Sequence, residues 1–108
     1  MSVTVGWLYL MASGLVDIMW AVSMKKADGF KNLPWSILSL LLLALFVYLL
    51  TKALEVLPMG TAYAAWTGIG AVGSVLVGIA LFNEPATAAR IGCVGLVAAG
   101  VIGLRLST

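Results

Sequence analysis

The chain has 108 residues, of which 63% are hydrophobic, and it carries only six Lys or Arg and four Asp or Glu side chains. A soluble domain would need charges on about a quarter of its residues, so this composition indicates that lipid is the solvent. The net charge of +2 is too small to favour a nucleic-acid partner. The sequence has no histidine and a single cysteine, Cys93, which excludes an internal disulfide and a metal site built from His or Cys.

Four apolar runs, separated by short polar segments, organise the chain. They cover Val3–Met24, Leu33–Leu50, Met59–Phe82 and Ala88–Leu106. Each has about 18–24 residues, the length a helix needs to cross about 30 Å of hydrocarbon. No basic residue of the kind that opens a signal peptide precedes the first run, so we expect that run to remain as a span. The sequence therefore predicts an all-α membrane protein, a single domain over residues 1–108 with four transmembrane helices.

The first run contains one charged residue, Asp17, in its central part. A carboxylate at such depth costs about 2.5–3.5 kcal/mol on insertion, and residues of this kind usually have a function. Helical spacing puts Ser13 and Trp20 on its face, and the small Gly14 leaves room beside it. No apolar run offers a central Lys or Arg as a partner, so we expect Asp17 to exchange a proton for a cation. The alternative is a protonated Asp17 that only joins helices by bonding to Ser13 or Tyr63.

The third run places two aromatic residues, Tyr63 and Trp66, three positions apart on one helix face. Such rings attract an organic cation by about 0.5–2 kcal/mol each. Aromatic residues also form belts at the membrane surface, and spacing alone leaves both interpretations open. Further along this run, three glycines are candidates for a hinge that lets the helix bend during transport, namely Gly68, Gly70 and Gly73.

The fourth run contains small residues spaced by three, four and four positions, which places them on one helix face. They are Gly92, Gly95, Ala99 and Gly103. In lipid, small residues let helices approach closely, so this face predicts a helix–helix seam, either between protomers or within one bundle. In the preceding loop we expect Glu84 to be solvated and Thr87 to cap the helix, with Arg90 as an interfacial anchor.

The basic residues give only a weak orientation signal. Two lie on the side of the predicted termini, and four lie on the other side: Lys52 and Arg105 against Lys25, Lys26, Lys31 and Arg90. If this weak bias is decisive, it places both termini outside; if it is not, molecules insert in both orientations. An antiparallel dimer is therefore possible, although charge counting does not establish one.

Four segments together resemble the small multidrug resistance family, and specifically its guanidinium-exporter branch. They are GLVDIMWAV (14–22), KADGF (26–30), PMGTAYAAWTGIGAVG (58–73) and FNEP (82–85). The resemblance extends over essentially the whole chain. It implies a proton-coupled antiporter of small organic cations, a multi-pass protein of the bacterial inner membrane that works as an antiparallel, dual-topology homodimer. Protons are then the coupling ion, and no cofactor is implied.

The resemblance also assigns roles to residues. Asp17 matches the acid of the family and Trp20 the tryptophan beside it, while Tyr63 and Trp66 match the aromatic residues of the binding site. The fourth helix of the family forms the dimer contact, in agreement with the seam of small residues. No enzyme motif is present, and we expect a transporter.

Two residues depart from the family pattern. The acid of the family is a glutamate, whereas Asp17 is shorter by one methylene. Phe46 aligns with a serine of the guanidinium exporters, and its ring cannot orient the acid by a hydrogen bond. We therefore expect export of guanidinium or similar small cations, with broad export of quaternary ammonium or multidrug cations as the alternative. One subunit of a heterodimeric pair, or a non-transporting membrane subunit, is a further alternative.

Overall fold

A computed structural model describes residues 2–107 of the protein. It contains four helices in chain order: α1 (Val3–Ala27), α2 (Leu33–Leu54), α3 (Met59–Leu81) and α4 (Ala88–Ser107). All four are long and apolar enough to cross a membrane, and residues 2–107 contain no strand. The predicted all-α fold with four membrane-spanning helices is confirmed.

Short polar residues cap the starts of α1, α2 and α4. The Ser2 hydroxyl accepts the backbone N–H of Val5 at 3.2 Å, and Asn32 caps α2 in the same way. At α4 the Thr87 hydroxyl accepts the backbone N–H of Arg90 at 3.2 Å, which confirms the predicted cap. These contacts satisfy backbone donors that have no partner within the helix.

The first two helices continue beyond their apolar runs. α1 adds residues 25–27 and ends where Asp28 adopts a left-handed conformation, with φ of 50°. The last turn holds Lys25 and Lys26, which the negative end of the helix dipole favours. The apolar runs thus cover the part of each helix that suits lipid. In α1 and α2 the helical hydrogen bonding continues beyond the end of the apolar run.

The helices are packed unevenly. α1 contacts both α2 and α3, whereas α4 packs along α3 and also reaches α1, where Arg105 lies over the Trp7 ring at 5.8 Å from its centroid. The hydrophobic core lies around Trp7 and Leu10 of α1, and it includes small residues of α2 and α3. No residue of α4 is buried. The described protomer therefore leaves most of α4 without a protein partner.

Glu84 makes contacts that were not expected of a loop residue. Its side chain is only one-third exposed and forms ion pairs with Lys25 of α1 at 3.3 Å and Arg90 of α4 at 3.2 Å. The hydrogen bond from Arg90, followed by that from Lys25, lowers the pKa of the Glu84 carboxyl below its usual 4.5. The sequence did not reveal these two ion pairs, through which Glu84 joins the ends of α1 and α4 to the α3–α4 loop.

Candidate functional site

Asp17 lies where α1 crosses α3. Its side chain is half-buried, and a Cβ added to Gly70 would overlap its Oδ2 atom. Gly14 lies equally close to Ile69, so the two helices approach through glycine on each side. Because Gly70 has no side chain, the Asp17 carboxylate can lie directly against the α3 backbone.

Four aromatic rings form a continuous row, and its first ring, Trp20, lies one helical turn from Asp17 on α1. The ring centroids of Trp20 and Phe46 are 5.5 Å apart, as are those of Phe46 and Trp66. Tyr63 continues the row at 5.8 Å from Trp66. Phe46 is 5% exposed, whereas Tyr63 is 61% exposed. The row thus runs from a buried centre to an open end, and three helices contribute to it.

Ser13 takes part in the site through the backbone of α2. Its hydroxyl donates to the carbonyl oxygen of Phe46 at 2.8 Å and is fully buried. This hydrogen bond ties the α2 backbone at Phe46 to α1. Within residues 2–107 no hydrogen bond or ion pair reaches Asp17 from Ser13, Tyr63 or another group, so its oxygens are free for a ligand.

The three candidate hinge glycines lie in an unbroken helix and contact different neighbours. Gly68 lies against Val101 of α4, Gly70 against Asp17, and Gly73 against Ile18. Sequence patterns had suggested Gly70 only as a hinge, and its contact with the carboxylate was missed. That contact joins residues 53 positions apart, counting from Asp17 to Gly70, and helical spacing cannot reveal it. The hinge itself stays a prediction.

The seam of small residues on α4 is open. No atom lies within 4 Å of a Cβ built on Gly92, Gly95 or Gly103, and Ala99 is exposed. Among residues 2–107, therefore, no other helix occupies this face. Packing within the bundle does not account for the seam, and the contact between protomers stays a prediction.

The chain matches the model of one known protein family. Residues 5–97 match the family described as Small Multidrug Resistance protein, and the chain belongs to that family. It is therefore a transporter rather than an enzyme. With its four membrane-spanning helices it is a multi-pass protein of the bacterial inner membrane.

Three relatives that the chain resembles are named guanidinium exporters. The guanidinium exporter of Yersinia pseudotuberculosis is 48% identical over 102 residues, which are 94% of this chain and 98% of the relative. The guanidinium exporter of Citrobacter freundii is 45% identical over 102 residues, 94% of this chain and 97% of the relative. A guanidinium exporter of Salmonella typhimurium is 46% identical over 101 residues, covering 94% and 96% of the two chains. The predicted resemblance is confirmed.

Proposed function

We propose that this protein exports guanidinium, or a similar small organic cation, in exchange for protons. The observation that carries the proposal is an unpaired carboxylate, Asp17, that lies against the α3 backbone and one helical turn from Trp20, the first ring of an aromatic row. The names of the relatives, at 45% and 48% identity, support guanidinium as the cation. The site supplies a carboxylate and aromatic ring faces, the two kinds of group that bind a planar organic cation.

A guanidinium ion can use both kinds of group at once. Its N–H groups match the two oxygens of a carboxylate, which makes charge-assisted hydrogen bonds of fixed geometry. Its flat face is attracted to an aromatic ring, and that attraction increases where water is excluded. Trp20 and Trp66 are partly exposed and lie on either side of the buried Phe46 in the row, so they are the surfaces open to such a ligand.

The same carboxylate gives the coupling to protons. Once Asp17 takes up a proton, it loses its charge and most of its capacity to accept hydrogen bonds from the cation. Proton and cation therefore compete for one group. A proton arriving from outside expels the cation, and loss of that proton inside allows another cation to bind.

We infer that a second, antiparallel copy completes the site. Four helices with a half-buried Asp17 do not enclose a cation, and the open seam on α4 offers a surface for the partner. Two Asp17 side chains would then face one shared cavity. Two carboxylates at such short range do not both ionise readily, so the pair titrates as a unit. Bending of α3 at Gly68–Gly73 would open the cavity to alternate sides.

Phe46 favours a second candidate function, the export of more hydrophobic cations such as quaternary ammonium ions. It is 5% exposed and stacks on Trp66 at an interplanar angle of 27°, so it adds apolar surface at the centre of the row. A quaternary ammonium ion needs ring faces and a counter-charge but no hydrogen bonds. The site can offer both without a polar group at position 46.

Electrophysiology on a solid-supported membrane separates these functions. Purified protein in liposomes is perfused with guanidinium and then with a quaternary ammonium ion, and Asp17→Asn is the control. Guanidinium currents that disappear in Asp17→Asn are the expected result. Currents with only the quaternary ammonium ion would favour the multidrug function. The absence of both would overturn transport by this chain alone and favour a heterodimeric or non-transporting subunit.

A further inference from the structure

We propose that an apolar groove formed by α1, α2 and α3 binds one phospholipid with an anionic headgroup. An acyl chain of the lipid lies in this groove, and the lipid phosphate pairs with Lys26 at the membrane surface. Neither Asp17 nor the aromatic row lines the groove, so the lipid site is independent of the proposed function.

Side chains of three helices line the groove, and all of them are apolar. They include Ile18 and Val22 of α1, Trp35 and Leu42 of α2, and Val77 and Leu81 of α3. The cavity that they enclose has a volume of about 410 Å³. From Trp35 to Leu42 it extends about 10 Å along α2, of the ~15 Å that one leaflet contributes to the hydrocarbon core. These dimensions and this lining suit the upper part of an acyl chain.

Lys26 lies at the end of the groove that faces the membrane surface. Ile18, Val22 and Lys26 follow one another at intervals of four on α1, so they share one helix face. The Lys26 Nζ atom is 5.0 Å from the ring centroid of Trp35, which lines the groove. The last turn of α1 and the first turn of α2 meet at this contact. The groove therefore leads from the bilayer interior to an ammonium group.

Lys26 differs from the basic residues at the other grooves in having no acidic partner within residues 2–107. Lys25, beside a smaller cavity between α1 and α3, pairs with Glu84 at 3.3 Å. Arg90, at the groove between α3 and α4, pairs with the same carboxylate at 3.2 Å. Among these basic residues, Lys26 is the one whose charge is open to an added anion.

A phospholipid phosphate has the chemistry that this end of the groove can bind. The Lys26 ammonium has three N–H donors, so contact with the face of Trp35 leaves others for phosphate oxygens. Basic pockets between membrane helices bind anionic headgroups, and tryptophan is enriched at the same depth. The turn after α1 adds the exposed residues Asp28 and Lys31, whose charges are opposite and offset each other.

The groove favours an anionic lipid over the two nearest alternatives. A zwitterionic lipid carries its own ammonium group, which competes with Lys26 for the phosphate. A soluble phosphate has no acyl chain and leaves the apolar lining without a partner. An anionic phospholipid satisfies the lysine and the groove together.

The lipid site is compatible with the proposed dimer and with the cation site. Among residues 2–107, those that line the groove include none from α4, which carries the open seam. They also include none of the four rings of the aromatic row. A lipid can therefore occupy the groove while the partner and the cation are bound.

Quenching of Trp35 fluorescence by brominated phospholipids tests the site. The protein is reconstituted in phosphatidylcholine liposomes that contain increasing amounts of brominated phosphatidylglycerol or brominated phosphatidylcholine. Each protein is also measured with Trp35→Phe, and subtraction isolates the signal of Trp35. We expect half-maximal quenching at an about fivefold lower mole fraction of phosphatidylglycerol, the preference that one lysine near an anionic lipid gives. Lys26→Gln should abolish this preference, whereas Lys26→Arg should retain it.

Lys52→Gln is the matched control. Lys52 lies over another ring of α2, 5.7 Å from the centroid of Tyr48, but at the opposite end of that helix and away from the groove. This variant should keep the preference of the wild type. Equal quenching of wild type by both lipids, a preference that persists in Lys26→Gln, or its loss in Lys52→Gln would overturn the lipid site.

Two further outcomes distinguish the lipid from other occupants. Loss of the preference when glycerol phosphate is added to the buffer would show that the headgroup binds without the groove. No quenching of Trp35 by either lipid would show that a second copy of the chain covers the groove. Either result would overturn the site.

Discussion

At the scale of single residues, the site depends on the contact between a carboxylate and a glycine. Asp17 is one methylene shorter than glutamate, yet it reaches the α3 backbone because Gly70 has no side chain. The presence of an acid in the first apolar run, and of two aromatic residues in the third, could be predicted from the sequence. The middle ring, Phe46, was found only through family resemblance, because nothing local distinguishes it from its lipid-facing neighbours. Its burial depends on α1 and α3 together.

Gly70→Ala is expected to slow guanidinium exchange about tenfold or more, because the new Cβ would displace the Asp17 carboxylate. Alanine favours helix by about 1 kcal/mol over glycine, so loss of helix stability would not explain the result. The matched control is Gly60→Ala in the same helix, where no atom lies within 4 Å of the added Cβ. Exchange at the wild-type rate in Gly70→Ala would show that the contact has no role.

Phe46→Leu tests the aromatic row. Leucine retains apolar bulk but removes the stack with Trp66, an interaction worth about 0.5–1.5 kcal/mol. We expect binding of a quaternary ammonium ion to weaken about 2–10-fold, measured by competition against labelled guanidinium. Phe30→Leu, in an exposed turn, serves as the control. Unchanged competition in Phe46→Leu would remove Phe46 from the binding surface.

At the scale of elements, helix positions follow from the apolar runs, and helix ends follow from local caps. Thr87 was predictable because a cap depends on neighbours within four residues. The Glu84 bridge was not predictable, since its partner Lys25 is 59 positions away and the two meet only when α1 and α3 pack. Local patterns thus give the helices, while the contacts between them require the fold.

Glu84→Gln is expected to make the protein slightly less stable at neutral pH but not in acid. The partners of Glu84 lower its pKa, so the ionised carboxyl stabilises the folded state above about pH 4.5, and this contribution is lost as pH falls further. Thermal unfolding in detergent should therefore show a gap between wild type and Glu84→Gln that closes on acidification. A gap that is constant with pH would contradict the ion-pair account.

At the scale of the whole molecule, α4 leaves an open face. α4 packs mainly along α3, and the seam of small residues has no neighbour in the described structure. The sequence predicted both the seam and the weak charge bias that permits two orientations. It could not decide between a seam inside the bundle and one outside, because that choice depends on how α4 is rotated about its own axis. In the fold this face points away from the other helices.

Gly95→Leu is expected to convert dimers to monomers, since a bulky side chain would hold two α4 helices apart. Within the protomer the change meets no atom within 4 Å, so folding should be unaffected. Single-molecule photobleaching in liposomes counts the subunits, and Leu96→Ala, at a 75% exposed position beside the seam, is the control. Dimers that persist in Gly95→Leu would exclude the seam as the contact.

The central claim is that one carboxylate serves both proton and cation. The most direct measurement is uptake of labelled guanidinium into liposomes under an imposed pH gradient, comparing wild type with Asp17→Asn. Asparagine is nearly isosteric but cannot ionise, so the variant should still form the dimer while pH-driven uptake falls to the level of empty liposomes. Uptake in Asp17→Asn that still follows the pH gradient would contradict the account.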